Sequence, residues 1–453
     1  TVQGRLEMED NCPEPLGACI DTRGLKKGDL FFALKGEKTD GHYFLQKARN
    51  KGASGAVVAY RPEDFSFTDF PLVIVENPVK ALQQLAIAQR KLFSGQVIAV
   101  TGSTGKTTTK EMIYALLREK GPVLKTWENY NNDLGLPLTI LALKPEHQFM
   151  VVEMGMRALG EIDFLCRISQ PNYGVITNIG HTHAELLGSP EKIAQAKAEL
   201  ISHLPAQGGL VLPYAAKKML HPWLANIRCP VLWFGLNSRA DLSAQEICVQ
   251  GEQGLSFNLF YRRKKISKIK LPLPGRHNVF NALAAATIGT HLGLSGLEMK
   301  TGLAKVELPR MRLEFRHTAS GKVQVINDTY NANPDSMLSA LEVLEQASQG
   351  KRAIGVLGDM YELGDYTEAG HLLVGRQVKE KGLAYLITVG KLGEIIAQGA
   401  REAGMSAARV YSCQNNVQAL SYLQKIKQPG DVILVKGSRG VKMEEIVAGL
   451  VAG

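Results

Sequence analysis

Apolar runs alternate with stretches of helical period along the whole chain, and they fall into three blocks. In the first, residues 29–34, 55–59 and 72–75 predict strands, and Pro78 suits the first position of a helix running toward Leu92. Ser94-Gly95 breaks the pattern and sets a boundary after residue 93. In the second block, continuous apolar runs at 97–101, 122–126, 149–153, 173–178 and 209–213 are separated by helical stretches, the signature of a mostly parallel sheet buried on both faces. From about residue 310 a new alternation begins. It places strands at 323–327, 352–357, 384–389, 409–412 and 431–436, and helices near 334–348, 366–381, 391–403, 415–427 and 440–450. Asn333-Pro334-Asp335 is a helix start, with Asn as cap, Pro at the first helical position and an acid in the first turn, and Gly350 marks the end. The expected fold is α/β in three domains: a small N-terminal α/β domain (1–93), a central parallel sheet (94–309) and a Rossmann-like C-terminal domain (310–453).

One joint in this pattern carries chemistry. Val97-Ile-Ala-Val-Thr-Gly-Ser-Thr-Gly-Lys-Thr-Thr-Thr-Lys110 runs from an apolar strand through a glycine-bracketed turn into a helix whose buried stripe is Met112, Ile113, Leu116 and Leu117. Gly102 and Gly105 lack a Cβ, so the turn can bend sharply and aim its N–H groups at an anion at the positive end of the helix. Lys106 is placed to reach the terminal phosphates of a nucleotide, and Thr107 to offer its hydroxyl to the accompanying Mg²⁺. Val100 stands where a longer loop carries glycine, so this is a shortened Gly-x2-Gly-Lys-Thr P-loop, with Ser103, Thr104 and Thr108 completing the nucleotide-binding set.

Composition narrows the class. The chain has 453 residues, 45% of them hydrophobic and 21% charged, too long for one core and ordinary for a globular protein. No apolar run approaches the roughly 18 residues of a membrane span. Residues 1–11 carry three acids and no apolar core, so a secretory signal is not expected. Six cysteines, thinly scattered and without a Cys-x2-Cys pair, argue against a zinc site or a disulfide framework and for a reducing cytoplasm. The net charge of +10 suits either nucleic acid or anionic small substrates. Its densest patch, 262–270, contains no aromatic residue for base stacking and follows the strand-like 255–261, which predicts the solvated tip of a hairpin.

Ligands of open α/β sheets sit beyond the carboxyl ends of the strands. Glu153 closes the run that starts at Phe149, Asn178 closes the run from Gly174, and His181 and His183 follow at once, all converging with the phosphate loop. Lys197 shares a helix face with Ile193, Leu200 and Ile201, so a lysine sits in an apolar stripe. It either snorkels or is a desolvated amine held at the metal site.

Several long segments, in order and at matching spacing, resemble the ATP-dependent Mur ligases of peptidoglycan synthesis. They are Thr101-Gly-Ser-Thr-Gly-Lys-Thr-Thr108, Glu153-Met-Gly155, Asn178-Ile-Gly-His-Thr-His183, Ala194-Gln-Ala-Lys-Ala-Glu199 and Gly275-Arg-His-Asn-Val-Phe-Asn281. Residues 327–337, 357–364 and 435–440 are similar to the member that adds D-alanyl-D-alanine, and 21–23 and 33–37 resemble its uridine-nucleotide-binding domain. The resemblance implies that ATP phosphorylates the carboxylate of a UDP-N-acetylmuramoyl-tripeptide and that the amine of D-alanyl-D-alanine attacks the acyl phosphate. It implies catalytic roles for Lys106, His183, Lys197 and Arg312, and Mg²⁺ ligation by Thr107, Glu153, His183 and a carbamate on Lys197. It implies adenine contacts from Asn278 and Asn281, a ribose contact from Asp328, and substrate contacts from Thr22, Arg23, Asn131, Asn132, Tyr330, Asn331 and Asn333. A cytoplasmic monomer is expected.

Two other readings compete. A relative adding the third amino acid, or glutamates to folate, would share the phosphate loop but carry a lysine where Tyr330-Asn331-Ala332-Asn333 stands in the glutamate-adding case. A nucleic-acid-dependent P-loop ATPase would need a second acidic strand end to position water, and stacking aromatics, and the sequence offers neither.

Overall fold

The computed structural model describes residues 2–7, 13–180 and 189–452. Three sheets are strung along the chain. The first has five strands in the order Gly4–Glu7, Leu72–Val75, Gly55–Val58, Asp29–Phe32, Gly17–Cys19, parallel except for the antiparallel edge Gly4–Glu7. The third has six strands, ordered Glu314–His317, Gln324–Asp328, Val432–Lys436, Ala353–Gly358, Tyr385–Val389, Val410–Cys413, again parallel apart from the first.

Between them lies a nine-stranded sheet centred on Gln96–Thr101, which pairs in parallel with Phe149–Glu153 on one side and Tyr173–Ile176 on the other. Val97, Ile98, Ala99 and Val100 are fully buried, as a central strand covered by helices on both faces requires. Helices Lys106–Leu117 and His277–His291 pack against each other on one face, around Met112, Ile113, Leu116, Leu283 and Ile288. On the other face Ile162, Leu165, Ile193 and Leu200 form a second core.

The far half of this sheet departs from the pattern read in the sequence. Val231–Gly235 and Leu242–Val249 continue the parallel order, and Leu255–Tyr261 and Lys264–Leu271 then fold back antiparallel. The basic patch is therefore a strand as well as a tip. Arg262 and Arg263 make the turn in left-handed conformation, while Lys264, Lys265, Lys268 and Lys270 lie exposed along the edge of the sheet. Lysines there discourage another chain from pairing with the open edge, which accounts for the patch without nucleic acid.

Helix Pro78–Leu92 joins the first two sheets. Asn77 caps it by accepting from Val79 N and Lys80 N, with Pro78 at its first position. Leu82 belongs to the first sheet's core and Ala86 to the central one, and buried Arg90 donates to the carbonyls of Ser169 (2.6 Å) and Gln170 (2.8 Å). The third sheet reaches the second through Gln324 Nε2, which donates to Glu252 Oε2 at 2.7 Å, and through Arg157, 3.7 Å from Glu362. No helix among the described residues is long and apolar enough to cross a membrane.

Candidate active site

The strand Gln96–Thr101 ends at the phosphate loop, and the loop's shape is held by its neighbours. Gly102 has φ +151°, and a Cβ there would lie 1.9 Å from Thr177 Oγ1. Gly105 caps helix Lys106–Leu117 at φ +76°, where a Cβ would meet Asn281 Oδ1 at 2.3 Å. Both positions thus demand glycine. Asn178 clasps the turn: its Oδ1 accepts from Thr104 N at 2.8 Å and its Nδ2 donates to Thr104 Oγ1. Thr177 Oγ1 donates to Thr104 O at 2.6 Å. Asn178 at the strand end is thus a scaffold for the loop, a role its position signalled only as proximity.

Lys106 Nζ donates to Gly102 O (2.8 Å) and Ser103 O (3.4 Å), which folds the ammonium over the loop. Burial lowers its pKa, Glu153 opposes that shift, and Arg312 adds to it. Three groups from two sheets therefore act on one point. Glu153 is 3% exposed; Thr126 Oγ1 accepts its N–H at 2.9 Å, and Asn131 Nδ2 donates to its Oε1 at 2.9 Å. Its Oε2 has no hydrogen-bond partner among the described residues, and Lys110 Nζ lies 4.0 Å away. Lys110 was missed by sequence reasoning. It is fully buried one helical turn beyond Lys106, donating to Thr126 O at 2.8 Å beside Glu111.

Lys197 is the stronger anomaly. It sits on helix Pro190–Ala198, whose start is capped by Ser189, and it is completely buried with no partner for Nζ among the described residues. Burial pushes its pKa well below the ordinary lysine value, and nearby Lys106 pushes it further the same way. Burial of that kind disfavours the charged form, and a side chain with no exposed surface is not a snorkelling lysine whose head reaches water. His183 falls outside the described residues. Among those residues no group of three or more His, Cys, Asp or Glu side chains gathers as a metal site.

A cleft of about 1900 Å³ opens from this point between the second and third sheets. From the second sheet it is lined by the phosphate loop with Thr107 and Thr108, by Glu153, and by Asn278 and Asn281. Those two asparagines form a chain: Asn281 Nδ2 donates to Asn278 Oδ1 (2.9 Å), and Asn278 Nδ2 to Pro274 O (2.6 Å). Asn131 and Asn132 also line the cleft, with their amides engaged inside the protein, the first on Glu153 and the second accepting from Gly135 N at 2.9 Å.

From the third sheet come Arg312, Asp328, Tyr330, Asn331 and Asn333. Arg312 stacks its guanidinium 4.1 Å from the Tyr330 ring centroid, between Met311 and Leu313, both in left-handed conformation. Asp328 accepts from Lys436 Nζ at 2.6 Å and from Leu313 N at 3.1 Å, so the acid fixes the segment that carries Arg312. Buried Lys436 also donates to Asn331 O at 2.8 Å. Asn333 caps helix Pro334–Ser348 by accepting from Ser336 N at 2.8 Å. His277, from the second sheet, faces the Asp328 and Lys436 pair; burial drives its pKa down to about 4, Asp328 raises it and Lys436 lowers it.

Thr22 and Arg23 lie elsewhere, at the lip of the first sheet. Thr22 O accepts from Lys51 Nζ at 2.7 Å, and exposed Arg23 pairs with Asp21 at 2.6 Å. The loop after Thr126 bridges the two places: the Tyr130 hydroxyl is pushed up by burial and then by Cys19, Glu128 and Asp21, the first and last of which belong to the first sheet's lip.

A phosphate loop facing a second α/β domain that delivers an arginine is the arrangement of a nucleotide-dependent enzyme that assembles its site between domains. Comparison with known proteins agrees. Family models match in three consecutive stretches: the Mur ligase family catalytic domain at 17–90, the Mur ligase middle domain at 100–289, and the Mur ligase glutamate ligase domain at 311–439. The UDP-N-acetylmuramoyl-tripeptide–D-alanyl-D-alanine ligase of Bacillus subtilis is 40% identical over 441 residues, 96% of this chain and 93% of that protein. The enzyme of that name from Escherichia coli is 37% identical, covering 95% and 92%. Among solved structures, MurF from Acinetobacter baumannii gives a TM-score of 0.83 at 34% identity, covering 96% of this chain and 93% of that one. MurF ligase from Thermotoga maritima in complex with ADP gives 0.79 at 26% identity, covering 98% of each. The chain belongs to the Mur ligase family and is an ATP-dependent amide ligase.

Proposed function

We infer that this chain joins D-alanyl-D-alanine to the peptide carboxylate of a UDP-N-acetylmuramoyl-tripeptide, with ATP converted to ADP and phosphate. The observation that carries the reading is that Lys106, Glu153, Arg312 and Asn331 line one cleft, in a chain similar over almost its full length to ligases of that name. In this reading residues 1–93 bind the uridine nucleotide through Thr22 and Arg23, 94–309 bind ATP, and 310–453 bind the dipeptide. The substrates, ATP and a nucleotide sugar, support a cytoplasmic place of work, where both are made.

The carboxylate and the γ-phosphate are both anionic, so bringing them together requires cations. Lys106 on the loop and Arg312 from the opposite wall supply them from two directions, and the Tyr330 ring holds the guanidinium in place. By family resemblance Asn278 and Asn281 contact adenine and Asp328 the ribose, and all three line the cleft. Two oxygens of the donor set suit Mg²⁺, the buried Glu153 Oε2, which has no hydrogen-bond partner among the described residues, and the hydroxyl of Thr107 at the helix start; the Lys197 amine is not itself an oxygen ligand. By family resemblance His183 and a carbamate on Lys197 complete it. Bound there, the ion would neutralise phosphate charge. Transfer of the γ-phosphoryl group to the carboxylate gives an acyl phosphate; the dipeptide amine attacks its carbonyl carbon, phosphate leaves, and an amide remains. Phosphate release from ATP should require both a UDP-linked tripeptide and D-alanyl-D-alanine. Release with a dipeptide-bearing nucleotide and a single amino acid instead would assign the chain to another branch of the family.

A further inference from the structure

The incoming dipeptide ends in a carboxylate that must be held away from the anions of the reacting centre, and the cations in the cleft can be sorted by what already occupies them. Lys106 and Arg312 face the phosphate loop, Lys125 is held by Glu111, and Lys436 is buried between Asp328 and Asn331 O. Arg157 stands at the rim beside Glu362, and Arg310 lies exposed on the connection between sheets. Arg439 combines a tether within the third domain, through Glu444 and Met311, with an open edge. It follows the central strand Val432–Lys436 at its carboxyl end, where ligands of open α/β sheets sit. Its Nη1 donates to Glu444 Oε1 at 2.9 Å and touches Met311 Sδ at 3.3 Å, whereas its Nε and Nη2 have no partner among the described residues. Those two nitrogens form the edge of the guanidinium that grips a carboxylate with two parallel hydrogen bonds.

We propose that Arg439 binds the terminal carboxylate of the incoming dipeptide and sets the enzyme's choice of a free acid at that end. This rests on the reading above that a dipeptide is the second substrate. The placement suits the length of the ligand: contact with Met311 puts the guanidinium one residue along from Arg312, and the amine and carboxylate of an extended dipeptide are roughly 7 Å apart. Gly440 supports the arrangement, because a Cβ there would lie 3.0 Å from the Tyr361 ring. Tyr361 N donates to Ser438 Oγ at 2.9 Å, and the half-exposed ring offers an apolar wall to the methyl groups.

The test compares D-alanyl-D-alanine with its C-terminal amide, in the wild type and in Arg439→Gln and Arg439→Lys. Wild-type kcat/KM should fall on the order of 10²-fold on the amide, as loss of a charge-assisted pair of hydrogen bonds implies, mostly through KM. Arg439→Gln should lose that discrimination and take acid and amide alike, with the KM for ATP and for the UDP-linked peptide little changed, and Arg439→Lys should recover part of the preference. Equal use of acid and amide by the wild type would overturn the proposal without any variant, and so would undiminished discrimination in Arg439→Gln. If the wild type turned over neither the dipeptide nor its amide with any UDP-linked tripeptide, the assignment of the second substrate would fail instead.

Discussion

Two side chains carry the residue-scale argument, because desolvation disfavours the charged form of each. Lys197 is enclosed with no partner for its amine among the described residues and lies close enough to Lys106 to feel its charge, and burial first and that charge second both favour the neutral form. A neutral amine reacts with CO₂ to give a carbamate, whose two oxygens are the hard ligand Mg²⁺ prefers. Lys197→Ala should lose activity on the order of 10²–10³-fold, with partial rescue by acetate or formate and none by added amines. Labelled CO₂ should give a carbonyl NMR signal in the wild type that the variant lacks; a fully active variant would return Lys197 to packing alone. His277 makes a different prediction. Its folded pKa is about 4 against an unfolded value of about 6.5, so as pH falls the unfolded chain takes up the proton first. Stability should therefore decline between about pH 6.5 and 4, by up to roughly 3 kcal/mol from this group. Denaturant midpoints across that range should fall less steeply for His277→Gln than for the wild type.

At the scale of elements, what could be read from the sequence was what is local. Asn333, Pro334 and Gly350 announced a helix, and the structure caps Pro334–Ser348 at that asparagine and turns at Gly350 with φ +84°. The alternation of apolar runs likewise gave the strands around Gln96–Thr101, since a central parallel strand buries both faces. The basic patch reads as a hairpin tip in the sequence because the strand-like run before it ends at Tyr261; that Lys264–Leu271 is itself a strand follows from its pairing with Leu255–Tyr261. Contacts across distant segments left no signal at all: Lys436 and Asp328 are 108 residues apart, and nothing in either stretch names the other. The same limit applies to Asn331 and Asn333, expected together at the substrate. Asn333 is the cap, so Asn333→Ala should cost about 1 kcal/mol in unfolding free energy. Asn331 is exposed in the cleft, its Oδ1 accepting from Ala332 N at 2.9 Å. Asn331→Ala should leave the unfolding midpoint nearly unchanged and raise the KM for D-alanyl-D-alanine; an unaltered kcat/KM would confine the asparagine to its turn.

For the whole molecule the question is how far the third domain must move. Arg312 and Lys106 already line one cleft, and a Cβ on Gly180 would lie 2.4 Å from Asp335 Oδ2, so the second and third domains touch beside the phosphate loop. The polar contacts between them that the described residues show, such as Gln324 with Glu252 and Arg157 with Glu362, are nevertheless exposed. Surface pairs of this kind each contribute little, so they do not lock the arrangement. The cleft of about 1900 Å³ also exceeds the roughly 300–1000 Å³ of an ordinary ligand pocket. Room on that scale admits a nucleotide, a peptide terminus and a dipeptide, but it also admits water, which would hydrolyse an acyl phosphate before the amine arrives. Closure around the ligands would resolve that conflict, the segment fixed by Asp328 carrying Arg312 with the third domain. Small-angle scattering should therefore show a smaller radius of gyration with a non-hydrolysable ATP analogue and the UDP-linked peptide together than with neither. Mutating Arg157 to Ala should leave that contraction in place, because a rim pair does not drive it. A radius unchanged by both ligands would mean that the cleft is already in its working state, and that water is kept out by the substrates filling it.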